Sequence, residues 1–178
     1  MSTTLNIIFL TILFSVYICN AEIEFPPITD EMIKQCEETS CNDIPGYPRE
    51  LINKAVEEAG DEIKSLLFKD EEFKTSRREY ENIKLNFCNA REELFYPLMA
   101  RNIRGQWAYI VHEQFFRIES CINPGESCNP ILIPIPGYTT KCQQNYMYRD
   151  AVSIQNNKLK LDKVLMKSCC NCVLSKTV

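Results

Sequence analysis

The spacing of apolar positions changes along the chain and divides it into segments of different kind. From Asn6 to Ile18 the run is nearly unbroken (Ile7, Ile8, Phe9, Leu10, Ile12, Leu13, Phe14, Val16). It is too short to cross a bilayer. It is followed by Cys19-Asn20-Ala21, with small residues at the positions a signal peptidase reads, and so predicts cleavage after Ala21. The terminal amine is the only positive charge ahead of the run, which leaves an uncleaved anchor as the alternative. Glu22 to Asp30 (EIEFPPITD) reads as a loop from its Pro-Pro and its charges. Gly46-Tyr47-Pro48 marks a turn, with Pro48 suited to the first helical position. Beyond it Leu51, Ile52, Ala55, Val56, Ala59, Ile63, Leu66 and Leu67 recur at helical spacing, and Glu57, Glu58, Asp61, Glu62 and Lys64 take the other side. The spacing predicts one amphipathic helix of about five turns, weakened by Gly60. A segment of about sixty residues with one helix makes a marginal core, so this region is expected either to be partly disordered or to dock on the second half.

Lys69 to Tyr80 is charged and reads as an exposed linker, the kind of stretch in which proteolytic nicking concentrates. Beyond it the period shortens to two. Gly105 to His112 and Phe116 to Cys121 alternate as strands, with His112 expected on a strand surface. Asn123 to Ser127 is turn-prone, and Asn129 to Gly137, with Pro130, Pro134 and Pro136, reads as an extended loop. Thr139 to Ile154 pairs across Gln155-Asn-Asn-Lys158 with Leu159 to Val164, a hairpin with an Asn-Asn tip.

Charge sharpens this division. The net charge of -4 is the sum of an acidic part, Glu22 to Arg78 (8 Lys plus Arg against 15 Asp plus Glu, -7), and a mildly basic one, Glu79 to Val178 (12 against 9, +3). Two solvated surfaces have this pattern, and so does an acidic segment that covers a basic one.

Ten cysteines in 178 residues are many for a reducing compartment and ordinary for a secreted scaffold. Cys36 and Cys41, with four residues between them, suit a small local disulfide. At the other end Cys169-Cys170-Asn171-Cys172 on an extended strand would send Cys170 and Cys172 to one face and Cys169 to the other. Cys121 and Cys128 form a second close pair. Two bridges between these segments would close a ring, and a Cys88 to Cys142 bond through it would make a cystine knot. Spacing leaves the connectivity open, since six cysteines allow fifteen pairings. Zinc is the competing reading for close cysteine pairs, but neither pair has C-x2-C spacing and His112 is far from both, so no metal is expected. Loss of Cys19 with the signal peptide leaves nine cysteines. An odd number in a secreted chain means a free thiol or a bond to another chain.

The residues after the linker match a known family. The order Cys88, Tyr96-Pro97, Ala100, Gly105, Trp107, Ile110-Val111, Cys121, Cys128, Gly137-Tyr138, Cys142, Tyr146, Ser168-Cys169-Cys170 and Cys172 resembles the cystine-knot domain of the Spätzle family, secreted ligands of the insect receptor Toll and relatives of the neurotrophins. Cys36, Cys41 and Tyr47-Pro48 ahead of a helix resemble the same family's pro-segment. The resemblance implies a small disulfide-rich all-β fold. This would be a cystine-knot (neurotrophin-like) domain of elongated antiparallel hairpins, preceded by a short, mostly helical pro-segment. It implies residues 1–21 as signal peptide, 22–78 as pro-segment and 79–178 as the ligand domain. It also implies the pairing Cys88 with Cys142, Cys121 with Cys170 and Cys128 with Cys172, and a bond between protomers at Cys169. Activation in the family follows cutting by a trypsin-like serine protease some ten residues before the first knot cysteine, where Arg78 stands here. The Arg77-Arg78 pair is a departure that leaves a furin-type convertase open.

These readings imply a secreted precursor of a covalent homodimer whose partners are a Toll-type receptor and an activating protease. A different class is a secreted cystine-knot inhibitor or toxin-like antagonist, for which no inhibitory loop is recognisable. With one histidine and no nucleophile and base set, no enzyme is expected, and no cofactor. Export and the modest +3 of the second half argue against nucleic acid, and the lack of a second long apolar run argues against membrane insertion.

Overall fold

The computed structural model describes residues 23–36, 38–70, 87–128 and 136–176. Ala21, the Arg77-Arg78 pair and most of the proline-rich loop lie outside them. The described chain has two short helical elements and seven strands. Helix α1, Asp30–Gln35, starts at the last residue of the expected loop Glu22 to Asp30 and covers residues for which the apolar spacing set no expectation. Thr29 caps it, its hydroxyl accepting from the Met32 amide at 3.3 Å, and Asp30 and Glu31 sit in the first turn where the helix dipole favours them. After the two-residue strand β1, Ser40–Cys41, comes α2, Arg49–Ser65, with Pro48 just ahead of its first residue. The expected single helix is broken at Gly60, whose φ of 70° and ψ of -160° are outside the helical region and open to glycine at little cost.

Strands β2 (Ala90–Phe95), β3 (Met99–Arg101), β4 (Trp107–Ile110), β5 (Phe116–Cys121), β6 (Tyr138–Gln155) and β7 (Lys158–Lys176) follow. All pairings between strands are antiparallel: a five-stranded sheet ordered β1-β3-β4-β6-β7 and a separate pair β2-β5. The β6-β7 hairpin turns on Asn156 and Asn157, at φ 49° and 60°, the left-handed region that asparagine tolerates and a two-residue hairpin loop needs. It runs well past the expected Leu159 to Val164 partner, from Gln155↔Lys158 down to Tyr138↔Lys176, a span of roughly 60 Å at ~3.3 Å per residue. The cysteine cluster therefore lies on the same strand as the hairpin tip. A bulge between Gln144 and Tyr146 interrupts the register.

Where β3 and β4 meet the tip half of the hairpin, the sheet is buried on both faces. On one, Val111, Val152, Ile154, Met99 and Tyr109 pack against Ile52 and Val56 of α2, Met32 of α1, Phe25 and the Cys36-Cys41 loop. On the other, Ala151, Val164, Met166, Ala100 and Ile110 pack against Phe116 and Ile118. The N-terminal segment is thus docked, and its short strand β1 extends the sheet along β3. The docking face differs from the full apolar stripe. Ile52 and Val56 are buried and Ile63 and Leu67 are partly covered, but Leu51 and Leu66 are exposed, Leu66 by 39%. Lys69 and Asp70, expected to open an exposed linker, are instead held with Phe68 along β5 and its approach, the Lys69 side chain alone staying exposed. His112 lies in the turn after β4 rather than on a strand. No helix among the described residues is long and apolar enough to cross a membrane.

Candidate functional site: the disulfide centre and the segment docked beside it

Three bridges join β5, β6, β7 and the segment before β2. Cys121 bonds Cys170, Cys128 bonds Cys172, and Cys88 bonds Cys142. The first two close a ring from the Cys121 to Cys128 segment and the Cys170 to Cys172 segment. The third bond is held against that ring: the Gly125 amide donates to the Cys142 carbonyl and the Cys142 amide to the Glu126 carbonyl, both at 2.7 Å. The Cys88 and Cys128 sulfurs lie 3.8 Å apart. This is a cystine knot. Its buried core consists of Cys88, Cys128 and Cys142, with Phe87, Cys170 and Cys172 around them. Gly125, at φ 89°, makes the turn that brings the ring backbone onto β6. The sulfurs of Cys88, Cys128 and Cys172 lie within 4.8 Å of one another, as a metal site would require. Each is in a disulfide, however, and thiolate is the form that binds metal.

Strand geometry accounts for the remaining sulfur. Cys170 and Cys172 face the ring, and Cys169, between Ser168 and Cys170 on β7, faces the other way. It is the free cysteine among the described residues, half-buried, with Nδ2 of the Asn145 side chain 3.6 Å from its sulfur. Cys36 and Cys41 are joined by their own bridge in the docked segment.

Two glutamines that carry no sequence signal hold this region together. At the bulge, Gln144 accepts from the Cys121 amide at 2.8 Å and donates to the carbonyls of Glu119 at 3.0 Å and Cys169 at 3.3 Å, tying β5, β6 and β7 beside the knot. Gln114, fully buried, accepts from the Val152 amide and donates to the carbonyls of Val152 and Val111. No periodic pattern marks either residue, because each acts on backbone that is distant in sequence.

The docked segment is attached by polar contacts as well as by its apolar face. The Leu98 amide donates to the Cys41 carbonyl and the Arg101 amide to the Thr39 carbonyl, each at 2.8 Å, and the Phe25 amide reaches Asn157 at the hairpin tip. The Tyr146 hydroxyl donates to the Glu38 carboxylate, and Lys167 sits 3.6 Å from the same carboxylate. Burial first, then the hydrogen bond and charge of Glu38, push the Tyr146 phenol up. The Tyr47 hydroxyl donates to the Ile110 carbonyl at 2.6 Å, and burial keeps it protonated against the pull of Arg49.

His112 meets the ring of Tyr47 edge-on at 6.0 Å, and its Nδ1 is buried with no hydrogen-bond partner among the described residues. Burial and the Arg49 guanidinium push the imidazole below its ordinary 6.5, with Glu113 opposing. Below that pH the unfolded chain binds a proton that the folded one resists, so this group's contribution to stability falls as pH drops through the unfolded value. His112→Gln is therefore expected to lose less stability than the unsubstituted protein when denaturation midpoints at about pH 7 and about pH 5 are compared. An equal loss in both would show that the imidazole titrates as though exposed.

A family model described as Spaetzle matches residues 85–174. Among characterised proteins, the chain is 27% identical over 170 residues to "Neurotrophin 1" of Drosophila melanogaster, covering 82% of this chain and 19% of that protein. It is 26% identical over 95 residues to "Protein spaetzle 5" of the same fly, covering 49% and 24%. The chain thus spans about a quarter or less of the length of these relatives. A solved structure, "Crystal structure of spatzle cystine knot", is 22% identical and covers 52% of this chain and 94% of its own, with a TM-score of 0.34. With a knot of six cysteines on elongated antiparallel strands and a family match over half its length, the chain belongs to the Spätzle family.

Proposed function

We propose that this protein is a secreted precursor. Residues 1–21 leave as a signal peptide, and a trypsin-like serine protease cuts after Arg78, between a pro-segment of residues 22–78 and a ligand domain of residues 79–178. The ligand is a homodimer joined through Cys169, and it binds and activates a Toll-type receptor. The observation that carries this reading is the knot itself, in a chain of this family, with one sulfur left outside the three bridges that close it. A covalent two-fold dimer presents the same patch twice and so can hold two receptor chains together. The chemistry supports a binding role, since the knot's cysteines are in structural bonds and the chain's one histidine, away from the knot, packs on a tyrosine ring.

Two measurements test the reading. Limited digestion with a trypsin-like protease is expected to leave a resistant fragment beginning at Glu79. A resistant fragment beginning well inside the knot, or no resistant fragment, would count against a two-part precursor. Adding the digested protein to cells that carry candidate Toll-type receptors is expected to bring receptor chains together, and undigested protein is expected to do so much less. Equal activity of both would remove the activating role of the cut.

A further inference from the structure

Phe68, Lys69 and Asp70 meet the knot half of the chain as an extended peptide meets a groove. The Phe68 amide donates to Gln114 Oε1 at 3.2 Å. The Phe115 amide donates to the Phe68 carbonyl at 3.2 Å, and the Asp70 amide to the Phe115 carbonyl at 3.1 Å, so Lys69 and Phe115 form a parallel bridge. The Phe68 ring stacks on Phe116, centroids 5.2 Å apart and planes 4° from parallel. The Asp70 carboxylate accepts from the Arg117 amide at 2.5 Å, and both its oxygens lie 3.0 Å from Arg149 Nη2. The Arg149 guanidinium also lies 4.9 Å from the Phe68 ring centre, which closes the groove over the aromatic. Lys69, between the two anchors, is exposed.

We propose that Gln114, Phe115, Phe116, Arg117 and Arg149 form a peptide groove that recognises an extended aromatic-x-acidic segment, with Phe68-Lys69-Asp70 as its resting occupant. The groove side is built independently of the occupant. Gln114 is fixed by three bonds to Val111 and Val152, none of which involves Phe68, Lys69 or Asp70. Recognition is by strand addition: backbone bonds hold the segment, and alternate side chains enter a ring pocket and a guanidinium pocket. A tethered segment has an effective concentration of order mM, so contacts this few suffice within the chain and remain weak enough to exchange with a partner offering the same chemistry. Charge sets the direction of that preference. The end of the groove that takes Asp70 is the Arg149 guanidinium and a backbone amide, which a partner's aspartate satisfies and its asparagine does not satisfy as an ion pair. The proposal needs neither the cut after Arg78 nor the receptor reading.

The test uses the full-length chain with Phe68→Ala and Asp70→Asn, which empties the groove, and a fluorescein-labelled peptide of residues 65–70, Ser-Leu-Leu-Phe-Lys-Asp. Fluorescence anisotropy is expected to show the peptide binding the opened chain at least about tenfold more tightly than the unsubstituted chain, whose tether competes. A peptide with Phe and Asp replaced by Ala and Asn is expected to bind neither. Equal binding of the peptide to both chains, or equal binding of the two peptides to the opened chain, overturns the proposal. Should the double variant fail to fold, Asp70→Asn alone carries the test through hydrogen exchange. The Phe115 amide is expected to exchange about tenfold faster than in the unsubstituted chain and to slow again on adding peptide, with the Cys142 amide unchanged. Exchange at Phe115 that responds to neither overturns it.

Discussion

Cys169→Ser is expected to run on non-reducing gels as a single band of one chain, and the unsubstituted protein is expected to run as a covalent dimer. Parity carries the first part of the argument. Ten cysteines less Cys19 leave nine, and the four bridges take eight of them. The sulfur left over is Cys169, half-buried on the strand face opposite Cys170 and Cys172. A reachable thiol in an oxidising compartment is not expected to stay reduced. Removing it should leave the three knot bridges in place and abolish the covalent dimer completely. Association of two copies without the bond is a separate question from the gel and is read as the mass in solution. Cys170→Ser or Cys172→Ser should behave differently, each opening the ring at a cost of about 2–5 kcal/mol and lowering the yield of folded protein. A Cys169→Ser protein that still ran as a covalent dimer would overturn the assignment of the outward sulfur.

The second large effect is expected at Ile52. Its side chain is fully buried where α2 meets Met99, Tyr109, Val111, Val152 and Ile154 of the sheet. Ile52→Asp places a carboxylate there with no partner, a change of about 3–5 kcal/mol that the docked segment avoids by leaving the sheet. The knot half retains its own bridges and the second buried cluster, so local release is expected rather than global unfolding. The amides of Leu98 and Arg101, which donate to the Cys41 and Thr39 carbonyls, report it directly. Their hydrogen exchange should quicken about a hundredfold for a loss near 3 kcal/mol, with the Cys142 amide unmoved. Leu66→Asp, at a 39% exposed position, should leave both amides close to their original rates. Unchanged exchange at Leu98 and Arg101 in Ile52→Asp would mean that β1 is held by its strand bonds and the bridge beside it rather than by α2.

Local geometry made part of this protein legible in the residues alone. The amphipathic spacing from Leu51 determined α2, because one turn of helix repeats every 3.6 residues wherever it forms. Asn156-Asn157 determined the hairpin tip, since few residue pairs enter the left-handed region together. Two-residue alternation through Cys169-Cys170-Asn171-Cys172 determined that one sulfur would oppose the other two. Connectivity is another matter: spacing left fifteen pairings open, and only likeness to a family pointed to one of them. The tertiary structure alone decided the rest. It put β1 on the edge of β3, seated Phe68 and Asp70 against β5 and Arg149, and set Gln114 and Gln144 as ties between distant backbones. Each of these rests on partners separated by tens of residues, where the free energy lies in a fit between surfaces, and a pattern read along one segment holds no record of the other.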